Sequence, residues 1–138
     1  MPTITVNWSA PSALTVSGLA TLGSGASATS ATLNLTGVDP TDLVVELEAT
    51  PGTVSGNKQA LVYLKSSFDG TSFSTDAGDV LLGALALPTN ATQQRAQFSV
   101  SAALGWVPPY LQIRIVNESG AALTAAACDT ITQTGVST

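Results

Sequence analysis

The chain has 138 residues, of which four are Lys or Arg and nine are Asp or Glu, with no histidine, one cysteine and a formal net charge of −5. This length fits one domain able to bury a sizeable core. So few cations cannot neutralise a phosphate backbone, which excludes nucleic acid as a partner, and without histidine the usual base of nucleophilic catalysis is missing. Interfaces deplete charge at their buried centres, so the composition points to a structural protein lying against other proteins, not an enzyme.

Taken in chain order, residues 3–8 read as a strand in which Ile4, Val6 and Trp8 form an apolar stripe of period 2. The start has no basic segment followed by an apolar core, so no secretory signal is expected and folding in a cytoplasm is. Residues 14–30 are dominated by Ser, Gly and Ala, and no period wins; a loop or a short helical turn both fit. Residues 31–35 read as a short strand. In residues 43–49, Leu43, Val45, Leu47 and Ala49 alternate with Val44, Glu46 and Glu48, the pattern of a half-buried strand with its carboxylates outward. Residues 59–65 are apolar on both faces and read as a central strand, followed by a turn at Asp69-Gly70.

Further strands are expected over residues 79–87, 94–100, 110–116 and 129–136, separated by stretches rich in Gly, Pro, Asn, Asp and Ser. The longest apolar run, residues 80–87, is far short of the roughly 20 residues of a membrane helix, so no membrane partner is expected. About eight short strands with such punctuation predict an all-β antiparallel sandwich or barrel, as a single domain over residues 1–138.

The chemical candidates are sparse. Asp69, Asp76 and Asp79 lie close in sequence and carry the oxygen ligands Ca²⁺ prefers, but EF-hand spacing is absent; they read as turn and strand-start residues, and no metal is expected. Glu46 and Glu48 share one strand face without the cleft a glycosidase pair needs. Lys58, Lys65, Arg95 and Arg114 are dispersed, with Lys65 read as an exposed or edge residue. Cys128 cannot form an internal disulfide and reads as a small buried hydrophobe. Trp8 and Trp106 are either core plugs or interface anchors. Trp106 precedes Pro108 and Pro109, which places it in a loop or at a sheet edge.

The order of several segments resembles a known family. Leu61-Val62-Tyr63-Leu64-Lys65-Ser66-Ser67-Phe68-Asp69-Gly70-Thr71-Ser72-Phe73 is similar to the strand and S-x-D-G-T-x-[YF] turn of small tailed-phage virion proteins. Leu82-Gly83 then leads to Leu87-Pro88-Thr89-Asn90-Ala91-Thr92. Residues 104–113, with Gly105-Trp106-Val107-Pro108-Pro109, precede Val116-Asn117-Glu118-Ser119-Gly120. Together these resemble the head decoration, or cementing, proteins of tailed bacteriophages, with matches over roughly residues 42–136.

What the resemblance implies is a jelly-roll sandwich without a cofactor, made in the host cytoplasm. It would dock on the outer capsid surface against the major capsid protein, with self-association as a homodimer or a trimer. The expected protein contacts are Ile4, Val6, Trp8 and Trp106, with residues 1–8 as an N-terminal arm. A phage tail or baseplate module binding a host receptor or carbohydrate is the alternative.

Overall fold

The computed structural model describes residues 5–137. Ten extended segments follow in chain order: β1 (Thr5–Trp8), β2 (Ser12–Ala13), β3 (Ser27–Thr29), β4 (Leu33–Asn34), β5 (Asp42–Pro51), β6 (Gln59–Ser67), β7 (Val80–Ala86), β8 (Gln94–Ser99), β9 (Tyr110–Glu118) and β10 (Leu123–Ser137). One helix, α1 (Val100–Leu104), lies between β8 and β9. The segments build two antiparallel sheets, one ordered β1-β10-β5-β8 with β2 beside β10, the other β3-β9-β6-β7 with β4 beside β9.

If β1 with β2, and β3 with β4, are each taken as one interrupted strand, the chain fills eight strand positions. The first sheet then reads first, eighth, third, sixth, and the second reads second, seventh, fourth, fifth. This is the jelly-roll topology, two Greek keys wrapped into a sandwich.

Period-2 burial explains why these segments pack as they do. Leu43, Val45, Leu47 and Ala49 turn inward from β5. They share the core with Ala60, Val62 and Leu64 of β6 and with Leu111, Ile113 and Ile115 of β9. Stacked sheets sit about 10 Å apart, so aliphatic side chains of this size fill the space between them. Cys128 belongs to the same core, and its thiol is pushed up to about 12 by burial and by the nearby carboxylates of Asp129 and Glu46.

The structure differs from the sequence expectation at several places. Val100 does not end a strand; it opens α1 because the Ser99 side chain accepts the Ala102 amide as an N-cap. Gly105 closes the helix in the left-handed region at φ 83°, its amide donating to the Ser101 carbonyl. The last strand begins at Leu123, well before residue 129, since the run of alanines pairs with the far half of β5. The segment at residues 14–30 holds a single 3-10 turn (Leu19–Thr21) and the short β3, and seats Leu14, Leu19, Leu22 and Ala28 in the core.

Register fixes which loops share an end. Asp42 of β5 lies opposite Gln133 of β10, which also neighbours Trp8, and Val44 lies opposite Ser99. In the other sheet, Ser67 and Asn34 both lie opposite Tyr110. One end of the sandwich therefore carries β1, the β4–β5 loop, the β6–β7 loop, and α1 with the turn into β9. The opposite end carries the β5–β6, β7–β8 and β9–β10 turns. There Asn117, fully buried, donates to the Leu22 and Ala121 carbonyls and accepts the Ser119 amide, tying three segments together.

Candidate interaction surface

Seven large hydrophobic side chains are exposed among the described residues: Val6, Trp8, Val38, Phe68, Val80, Leu81 and Trp106. The first four and Trp106 all belong to the end with β1 and the β6–β7 loop, and Val80 and Leu81 begin β7 as it leaves that end. The opposite end exposes Thr53, Ser55, Asn57, Lys58, Asn90 and Gln93 instead. The sandwich is thus polarised, with an apolar aromatic end and a polar end. Scattered exposed hydrophobes are ordinary, but several gathered on one surface mark a contact site.

Trp8 and Trp106 are 48% and 44% exposed, so neither is a core plug. Val6 and Trp8 lie on β1, which pairs with β10 at the border of its sheet. Ile4 lies outside the described residues. Trp106 sits in the turn after α1, held there by the Gly105 cap, and its ring packs on Phe68 at a centroid distance of 5.9 Å and an interplanar angle of 36°. Phe68 is the residue missed from sequence, where it reads only as a position before a turn. It is 80% exposed.

The turn that displays Phe68 is held by its neighbours. Asp69 accepts the amides of Thr71 and Ser72 and the hydroxyl of Ser67. The Ser72 amide, then that of Thr71 and the Ser67 hydroxyl, hold its carboxyl well below the usual carboxylate range. Gly70 adopts φ +81°, and a Cβ there would come within 2.9 Å of the Tyr110 ring. Only glycine satisfies both the dihedral and the close approach.

Behind this turn, Lys65 and Arg114 correct the sequence reading of dispersed cations with Lys65 exposed or at an edge. Alternation places both on the outer face of their sheet, yet both are buried, because the segment leading to β7 lies over them. Lys65 Nζ donates to Asp76 at 2.7 Å and to the Ser74 carbonyl, and stands 3.0 Å from Asp79 Oδ2. Arg114 Nε donates to Asp79 at 2.8 Å, while its guanidinium lies 4.4 Å from the centroid of the Tyr63 ring. Asp79, expected simply to start a strand, has a completely buried side chain that also accepts the Ser74 hydroxyl.

Burial opposes the charge on Lys65, but its hydrogen bonds to Asp76 and Asp79 and their charges outweigh it and raise its pKa. The hydrogen bond from Lys65, then the charge of Arg114, lowers that of Asp76. Asp69, Asp76 and Asp79 therefore do not converge as a trio: one builds a turn and two hold cations.

On the other sheet, Glu46 and Glu48 face outward over a shallow depression of about 330 Å³. Arg95 of β8 bonds Glu48, and Gln97 donates to Glu46 at 2.6 Å. The two carboxylates serve as cross-strand partners.

No protein-family model matches the chain, and no curated protein sequence matches it significantly. Among solved structures, it is similar to a xylan-binding module, CBM15, at 14% identity over 96% of this chain and 97% of that one, with a TM-score of 0.47. It is also similar to a chain of Desmodium yellow mottle tymovirus, at 12% identity over 99% and 86% of the two chains, with a TM-score of 0.40. A chain of infectious bursal disease virus, Gx strain, matches at 16% identity and a TM-score of 0.45 over 96% of this chain, which spans 34% of the viral one. Likeness at this level assigns neither ligand nor assembly. The fold defines the chain as a jelly-roll β-sandwich, and its exposed side chains give it one apolar end.

Proposed function

We propose that this protein is a non-catalytic virion component of the decoration type, which docks its aromatic end on the outer face of an assembled capsid and bridges neighbouring subunits of the major capsid protein. The observation that carries the reading is the gathering of Val6, Trp8, Val38, Phe68 and Trp106 at one end of a sandwich whose other end is polar. The order of sequence segments, similar to that of tailed-phage decoration proteins, supports it. Many modest contacts on a repeating shell add through effective concentration. A ligand that binds the assembled shell and not its separated parts shifts the equilibrium toward assembly. Self-association as a homodimer, or a trimer, belongs to the same reading.

The test is sedimentation of the purified chain with capsids assembled without it. Co-sedimentation, with a raised temperature of capsid rupture, is expected. Failure to bind heads, together with binding to tails or to a host surface polysaccharide, would overturn the reading in favour of a receptor-binding module.

A further inference from the structure

We infer that the cleft beside the packed rings of Phe68 and Trp106 is the anchor point of the docking end, receiving one uncharged apolar side chain of the shell protein, and that Lys65, Arg114, Asp76 and Asp79 form a latch that keeps it in shape. The inference rests on the docking reading above. The cleft has a volume of about 170 Å³ and is lined by Ser66, Ser67, Phe68, Ser72 and Trp106. No charged side chain lines it, so a charged guest would lose its hydration without gaining a partner. Interface hot spots are enriched in Trp and Tyr, and truncating a hot-spot residue weakens binding by about 30-fold or more.

Two features show that the cleft is preorganised. The Ser67–Asp69 turn and the contact of Gly70 with Tyr110 hold Phe68 out toward solvent from below. The latch acts from the other end of the same loop: Asp76 and Asp79 tie it to Lys65 of β6 and Arg114 of β9. A turn whose backbone is already ordered has less freedom to lose on binding, which is how preorganisation raises affinity. A protein guest fits better than a lone sugar ring, because Trp8 and Val38 are exposed at the same end and a single stacked ring would leave them in water.

The test uses the full chain and undecorated capsids, well below each variant's melting temperature. Phe68→Ala and Trp106→Ala should each weaken capsid binding about 30-fold or more. Binding within twofold of the parent chain overturns the anchor. Asp79→Asn should weaken binding comparably and speed amide exchange at Thr71 and Ser72 beyond any change at Val62 or Ile115. Faster loop exchange with unchanged binding overturns the latch, as does unchanged exchange. If Asp79→Asn does not fold, Asp76→Asn, whose side chain is mostly exposed, takes its place, with changes in the same direction and of smaller size expected and unchanged loop exchange overturning the latch. Tight binding of a neutral oligosaccharide, lost in Trp106→Ala, overturns the protein-guest assignment. Should the parent chain itself fail to bind capsids, the docking reading falls and the anchor with it, while loop exchange still judges the latch.

Discussion

Replacing Asp79 by Asn keeps the side chain's size while removing the charge at the centre of the latch. The carboxylate is fully buried and meets Lys65 at 3.0 Å, Arg114 at 2.8 Å and the Ser74 hydroxyl at 2.9 Å. An amide has one oxygen, so in either orientation its NH2 group confronts one of the donors that the carboxylate satisfied. Breaking a buried ion pair by removing one partner costs about 3–5 kcal/mol. Asp76 remains 2.7 Å from Lys65, which places the expected loss toward the lower end. Against a stability of about 5–15 kcal/mol for a typical domain, the chain stays folded at room temperature.

Asp76→Asn is the matched control. Asp79 still contacts both cations, and the Asp76 side chain is 69% exposed, where solvent screens its charge, so its loss is the smaller of the two. Urea unfolding followed by circular dichroism measures both, with midpoints converted through a shared slope. A loss for Asp79→Asn below about 1 kcal/mol, the size of an exposed pair, or a loss for Asp76→Asn equal to it, would show that burial does not make the difference.

Other outcomes follow from the same structure. Asp69 and Asp76 are held below the ordinary carboxylate value of 3.8, so their contribution is present above that value and is lost as pH falls through their folded pKa values; melting temperature should fall as pH drops below 3.8. On the basic side, the unfolded Cys128 thiol ionises from its ordinary 9.0 while the folded one waits until about 12, so stability declines as pH rises above 9.0, and Cys128→Ala should remove that part of the decline. The same burial predicts that Cys128 resists thiol reagents at pH 8 until urea unfolds the chain; stoichiometric labelling of the native protein within minutes would contradict it. Asn117→Ala removes two buried hydrogen bonds and a partly buried one and orphans the Ser119 amide, while the Leu22 and Ala121 carbonyls keep the Leu123 amide and the Ser119 hydroxyl. Urea unfolding should show a loss of about 2–4 kcal/mol.

The class of fold was legible in the order of residues, because period-2 burial is a local property. Leu43, Val45, Leu47 and Ala49 must share a face whatever they pack against, and the apolar faces of β6 fit the interior position it takes between β9 and β7. The exposed setting of Trp106 was likewise partly legible, since two following prolines cannot join a central strand. Short-range competition hid α1: a serine cap and a terminal glycine outweighed an alternation that ended at Val100.

Features that depend on distant segments converging came from the packing of the sheets. Lys65 and Arg114 are 49 positions apart, and β6–β9 pairing makes them neighbours across one sheet face, where a loop buries them with two carboxylates. The grouping of Val6, Val38, Phe68 and Trp106 arises the same way, from jelly-roll connections that bring four distant segments to one end of the sandwich. Periodicity reports which way a side chain points along its own strand; strand order and register decide what stands beside it.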